Sequence, residues 1–284
     1  MEPRQTEDHK ASYPPTRRPK IQGLAVDQLL SDTQLSPTRR RFRKLRIVNY
    51  DETPVPFEFL DGYTYDEKGK KTISVLIFKG SSGPNGQIYK KERGKYAPDV
   101  IVKFNETAYN NEELFQQWID EELIPLTDGE DFLFVMDVAA FHKTEGVLDS
   151  LRKNNITSCL IPPGLTSLLQ PLDTAVNKSF KKWLQEAVEE YFNDQEKKVK
   201  AADKTTEWSV SDKRIMTTWA VSKAAKRLKA RPELVSKAFQ QCGISTRPDG
   251  SEDALIRIKD IPPKLLTCPG GRNKKRLFGK KRLW

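Results

Sequence analysis

Three aspartates stand where carboxylate chemistry can be assembled. Asp51 closes the apolar stretch 45–51 (LRIVNYD), and Asp137 closes the still more apolar stretch 131–137 (DFLFVMD). Asp173 stands where a proline-containing loop, 162–171, enters a long helical segment. Strands that end in an acid deliver it to one edge of a sheet, and the start of a helix can meet that edge. Three converging carboxylates cannot all stay ionised without a cation. Magnesium or manganese, hard ions that prefer oxygen, would relieve the repulsion. Two such ions about 3.5–4 Å apart can activate a water or a 3′-hydroxyl and stabilise the leaving oxygen of a phosphodiester. Plainer uses exist on spacing alone: Asp173 can cap its helix, and Asp51 and Asp137 can open loops.

The elements that must position these acids are legible in outline. Short β-branched or apolar runs predict strands over 45–51, 72–79, 99–104, 131–137 and 156–162. Helical spacing covers 110–124, where Leu114, Trp118, Ile119 and Leu123 fall on one side, and then 145–155, 173–193, 212–230 and 233–242. Residues 81–98 carry the Gly and Pro of a loop. Strands and helices mixed in the first half, followed by a helical second half, predict an α/β or mixed α+β sheet with flanking helices.

Composition bounds the partners. The chain has 284 residues with 49 Lys+Arg against 39 Asp+Glu, a net charge of +10, which favours a polyanionic partner and nucleic acid before membrane. No apolar run approaches the roughly 20 residues of a membrane span. Only three cysteines, Cys159, Cys242 and Cys268, and two histidines, His9 and His142, are present. That argues against a disulfide framework and a His/Cys zinc site, and for a reducing compartment. Residues 1–44 are polar, Pro- and Arg-rich, and end in the basic run SPTRRRFRK, which predicts a disordered leader or a phosphate-binding arm.

Longer motifs surround the acids. Asn49-Tyr-Asp51-Glu-Thr-Pro-Val55 resembles the first-acid motif of pogo-like DDE transposases. Asp137-Val-Ala-Ala-Phe-His142 is similar to the second, an Asp with a His five residues on. Residues 160–173, LIPPGLTSLLQPLD, followed by Asn177-Lys-Ser-Phe-Lys181, resemble the third. Three motifs in order identify the chain as a member of that family over about residues 45–245. The resemblance implies an RNase H-like mixed sheet with helices on both faces. It implies that Asp51, Asp137 and Asp173 ligate two Mg²⁺ or Mn²⁺ ions for DNA nicking and strand transfer. A nuclear location and a homodimer are further implications of transposase ancestry.

The departures shape the expected organisation. No helix-turn-helix is visible in residues 1–44. Residues 69–75 pass directly into 76–80 (LIFKG), where the family has more chain. The sheet is therefore expected to lack part of its second/third-strand hairpin, or to fuse two strands into one. The expected divisions are a disordered basic leader (1–44), a DDE catalytic-type domain (45–195), a helical extension (196–245) and an irregular basic tail (246–284).

Supporting residues have two readings each. His142 either contacts a phosphate, orders a carboxylate, or is buried structurally. Glu52 points to the opposite face from Asp51 if the strand continues. Gln170 and Pro171 shape the turn before Asp173, and Thr166 and Ser167 donate to a phosphate or cap a helix. Lys178, Lys181 and Lys182 share roughly one side of the helix with Asp173 and are candidate DNA-backbone contacts. Lys223, Lys226, Arg227, Lys229 and Arg231 form a second basic surface, and Trp208 and Trp219 read as core. Two functions follow: a metal-dependent DNA endonuclease, or a shortened or domesticated relative that binds nucleic acid without cleaving it.

Overall fold

The computed structural model describes residue 42 and residues 46–53, 63–66, 73–80, 86–201, 208–247 and 251–262. Six strands form one mixed sheet: β1 (Ile47–Asp51), β2 (Tyr63–Asp66), β3 (Ile73–Lys79), β4 (Val100–Asn105), β5 (Phe132–Met136) and β6 (Ile156–Leu160), in the order β4-β3-β2-β1-β5-β6. β1, β5 and β6 are mutually parallel, β2 runs antiparallel to both β1 and β3, and β3 and β4 are parallel. β5 lies between two parallel neighbours and is buried along its whole length, which is why it reads as an unbroken apolar run.

The helices cover the two faces of the sheet, as the resemblance implies. On one face lie α2 (Glu112–Trp118), its π-helical continuation Ile119–Leu123, α3 (Ile124–Thr127) and α4 (Glu145–Lys153). Phe115, Trp118, Leu123, Val147 and Leu151 meet Val48, Tyr50, Phe134 and Met136 there. On the other face lie α6 (Asn177–Ala201), α7 (Val210–Lys229) and α8 (Pro232–Gln241), whose Phe180, Met216, Val221 and Phe239 share a core with Ile47, Phe78, Val102 and Val135. Alternate residues of β1 thus enter opposite cores, as strand geometry dictates.

Several expectations are corrected here. α1 (Gln87–Glu92) lies inside the stretch read as loop, because Ile88 and Tyr89 pack on the core while flanking Gly and Pro obscure so short a pattern. β2 was not expected as a separate strand. β3 crosses the junction of Val75 and Leu76 without a break. Among the described residues it pairs with β2 at Ile73 and Ser74, and with β4 from Ser74 to Lys79. One strand therefore serves two neighbours. The boundary drawn at 195/196 falls inside α6, and α7 packs on β3 and β4, so the helical extension shares the sheet's core. Within the expected tail, Ile256 and Ile258 are buried in that core. Of the expected leader, Phe42 packs on the core, and the rest lies outside the described residues, as does 263–284. Trp219 is 43% exposed rather than core, with its indole N–H donating to the Lys95 carbonyl at 2.9 Å. Trp208 does pack on the core, against Phe192.

A polar seam fixes α7 to the chain between α1 and β4. Arg214, Thr218, Ser222 and Lys226 recur every four residues along one side of α7. Arg214 donates to both oxygens of Glu92 (2.9 and 2.5 Å), and the Tyr96 hydroxyl adds a bond at 2.8 Å. The Thr218 hydroxyl accepts from the Ala97 N–H, the Ser222 hydroxyl donates to Asp99, and Lys226 pairs with Asp99 at 3.3 Å. Glu92 and Arg214 are both buried, and Arg214 holds the Glu92 carboxyl below its usual range against the burial that pushes it up. Removing one member strands the other charge, so Arg214→Met should lower stability by about 3–5 kcal/mol, while the double variant with Glu92→Leu should recover much of the loss. Urea unfolding of the parent and the two variants measures this, and an Arg214→Met protein as stable as the parent would refute the seam's importance.

Candidate active site

The acidic edge is built from an asparagine upward. Asn49 is the polar interruption of an otherwise apolar strand and is fully buried. Its Nδ2 donates to the Val135 carbonyl at 2.9 Å, binding β1 to β5, while its Oδ1 accepts the Leu172 N–H at 3.3 Å. Gln170, also fully buried, donates from Nε2 to the Tyr50 carbonyl at 3.2 Å. The segment leading to Asp173 is thus pinned to the end of β1 by two side chains. It enters through Gly164 at φ 78°, a conformation that suits glycine.

β1 and β5 run in parallel with Asn49 opposite Val135, and each reaches its acid two residues later, Asp51 and Asp137. Both acids therefore leave the same edge of the sheet. Asp173 sits in a π-helical turn, Leu172–Val176, that leads into α6. Such insertions recur at functional sites because they re-aim a side chain. Here the turn sets Asp173 beside Asn177, whose Nδ2 donates to Asp51 Oδ2 at 2.9 Å and to Asp173 Oδ1 at 3.1 Å. One nitrogen thus touches both carboxylates. Burial, and then the charge of Asp173, push the Asp51 carboxyl up to about 8; the Asn177 bond works in the opposite direction without cancelling them.

Asp137 is held differently. Its Oδ1 takes the Ala139 N–H at 3.1 Å and His142 Nδ1 at 2.7 Å. These bonds, the His142 one foremost, keep the Asp137 carboxyl below the usual range. His142 itself is 1% exposed and packs against Phe115 and Phe141 with ring centroids 4.5 Å away. It is therefore withdrawn from solvent and holds the Asp137 carboxylate, the second of the readings given to it above. Its Nε2 lies 4.0 Å from Glu52 Oε1, and Glu52 is bound in turn by Asn110 Nδ2 at 2.7 Å and the Tyr50 hydroxyl at 3.3 Å. Glu52 thus faces away from Asp51, as the strand alternation predicts.

The structure joins Asp51 to Asp173 and places Asp137 on the same edge with its own partner. Among the described residues, no three His, Cys, Asp or Glu side chains form a ready metal cluster. Lys178, Lys181 and Lys182 are all exposed on α6; Lys181 follows Asn177 by one helical turn, and Lys182 lies 3.8 Å from Glu186. The other basic surface is largely neutralised: Lys223 pairs with Glu190, Arg227 with Glu186 and Glu190, and Lys226 with Asp99. Arg231 lies over the Trp183 ring. Asn49 and Asn177 belong to the motifs quoted above, yet their roles were not read from them. The signals were present: a polar residue two before Asp51 on the same strand face, and an amide four after Asp173.

A sequence profile of the DDE superfamily endonucleases matches residues 66–230, a span that contains Asp137 and Asp173 and begins after Asp51. The human protein "Pogo transposable element with ZNF domain" is 22% identical over 199 residues, covering 68% of this chain and 14% of its own length. The mouse "Pogo transposable element with KRAB domain" is 24% identical over 248 residues, covering 76% of this chain and 38% of its own. The chain therefore spans well under half of these curated relatives. Among solved structures, the Mos1 transposase catalytic domain with raltegravir and Mn aligns at 14% identity and a TM-score of 0.41, covering 78% of this chain and 92% of that one. The catalytic domain of Mos1 mariner transposase aligns at 15% identity and a TM-score of 0.39, covering 86% and 98%. With the profile matched across more than half its length, and with its three acids in family order, the chain belongs to the DDE superfamily endonucleases, and its likeness within them is to pogo-type transposases.

Proposed function

We propose that this domain binds DNA and cleaves its phosphodiester backbone with the help of divalent cations held by Asp51, Asp173 and Asp137. The observation that carries the reading is the contact of one amide nitrogen with both Asp51 and Asp173 at the edge where β5 delivers Asp137. The donor set fits Mg²⁺ or Mn²⁺: all three ligands are carboxylate oxygens, and the first two repel each other in partial burial. Bound cations supply the Lewis acidity that phosphodiester hydrolysis requires at neutral pH.

The chain's own residues do the rest. Asn49 and Gln170 fix the spacing between β1 and the turn bearing Asp173, so the acids meet at a set position. His142 and the Ala139 N–H hold Asp137 by Oδ1 and keep it ionised. The exposed Lys178, Lys181 and Lys182 follow the acids along α6, where they bind backbone phosphates entering the site. A nuclear location and a homodimer belong to this proposal as consequences of acting on chromosomal DNA as a transposase relative. Among the described residues, no helix is long and apolar enough to cross a membrane.

Nicking of supercoiled plasmid in Mn²⁺ is the direct test. Asp137→Ala should reduce nicking to background while DNA affinity stays within about twofold, because the phosphate contacts that carry that affinity lie elsewhere. A parent protein that binds DNA without nicking it would favour the non-cleaving relative instead, and a variant that still nicks would remove Asp137 from the site.

Thermal stability gives a second test. Asp51 binds its proton more tightly folded than unfolded, with a folded value of about 8 against 3.8. The folded state therefore holds more protons between those values, and stability must fall as pH rises through that window. Glu52, also raised by burial, acts in the same direction. In EDTA, the melting temperature should drop between pH 5.5 and 8; Asp51→Asn should flatten the slope, and Mn²⁺ should flatten it in the parent. A slope unchanged in Asp51→Asn would contradict the charge assignment.

A further inference from the structure

Asn177 is 6% exposed, yet among the described residues its side chain bonds to both Asp51 and Asp173, and it does so through one atom. Alternatives at this position would act differently. A lysine would neutralise the pair and compete with any cation. An aspartate would add a third negative charge. A leucine would leave two carboxylates repelling across an apolar contact. A neutral amide contacts both acids while adding no charge to the pair.

We propose that Asn177 is the positioning residue of the acidic edge, holding Asp51 by Oδ2 and Asp173 by Oδ1 so that the pair presents one fixed set of oxygens to a divalent cation. The inference rests on the metal-dependent reading above. Two features make the arrangement firm. The π-helical turn Leu172–Val176 sets the relative rotation of Asp173 and Asn177, with the Asn177 N–H closing onto the Leu172 carbonyl. On its other side Leu172 is tied through its own N–H to Asn49 Oδ1. The amide, the turn and β1 thus form one closed circuit of hydrogen bonds around the two acids. Outer partners that orient ligating groups typically change metal affinity by about 10- to 100-fold when removed.

The test is Mn²⁺ binding to the full chain without DNA, followed by loss of the free-ion electron paramagnetic resonance signal. Asn177→Leu should weaken Mn²⁺ binding by about 10- to 100-fold. Asn177→Ser, which keeps a single shorter donor, should fall between Leu and the parent. Gln185→Ala, an exposed change two turns further along α6, should bind as the parent does. This graded order is what a purely structural role would not produce. Binding of equal strength in Asn177→Leu and the parent overturns the inference and leaves the metal reading intact. If Asn177→Leu fails to fold by circular dichroism, Asn177→Ser decides: undiminished affinity overturns the inference, and a partial loss supports it. A parent that takes up no Mn²⁺ overturns the metal reading and the inference with it.

Discussion

The acidic edge depends on a polar side chain placed where an apolar one would be expected. Asn49 sits in β1 between Val48 and Tyr50, which enter one core, and it is wholly withdrawn from solvent. A buried amide without partners would cost a few kcal/mol, so its position is tolerable only with its bonds made. Those bonds run to β5 through the Val135 carbonyl and to the start of the π-helical turn through the Leu172 N–H. Each tie joins one acid-bearing element to another: β1 carries Asp51, β5 leads to Asp137, and the turn carries Asp173. Satisfying one buried amide therefore ties β1 to β5 and to the turn that bears Asp173.

The two sides of that edge are charged by different means. Asp51 and Asp173 share a single amide donor, and the charge of the exposed Asp173 adds to burial in raising the Asp51 carboxyl. Asp137 instead has a buried imidazole and a backbone N–H, which favour its ionised form. The first pair thus shares one neutral donor, while Asp137 has two donors of its own. The imidazole is wedged among Phe115, Phe141 and Tyr50, so its orientation is set by aromatic packing rather than by solvent. Asp137 inherits that rigidity.

Much of this was legible before any coordinates. The strands of β1, β5 and β6 follow from short apolar runs, and the acids were found because each ends an element. The resemblance to pogo-type DDE transposases supplied the sheet and its helical faces, and the family match agrees. What escaped the sequence depends on contacts distant along the chain. α1 was missed because six residues show too little periodicity, and its anchoring comes from Arg214 and Glu92, far apart in sequence. Trp219 looked like core because tryptophan usually is; its indole instead seals the Lys95 carbonyl at the surface. The basic stripe of α7 looked free for DNA because its acidic partners lie on α6 and before β4. Hydrogen bonds from Asn49 and Asn177 could not be assigned from spacing, since either amide could equally have faced solvent.

β3 has a consequence of its own. Among its described residues, Ile73 and Ser74 pair with β2, whereas Ser74–Lys79 lie along β4. The sheet is therefore two parallel leaves, β4–β3 and β1–β5–β6, joined by one narrow antiparallel hinge at β2. Every acid belongs to the second leaf or to the segment docked on it. A change confined to β3 or β4 thus leaves the strands that carry the acids paired as they are.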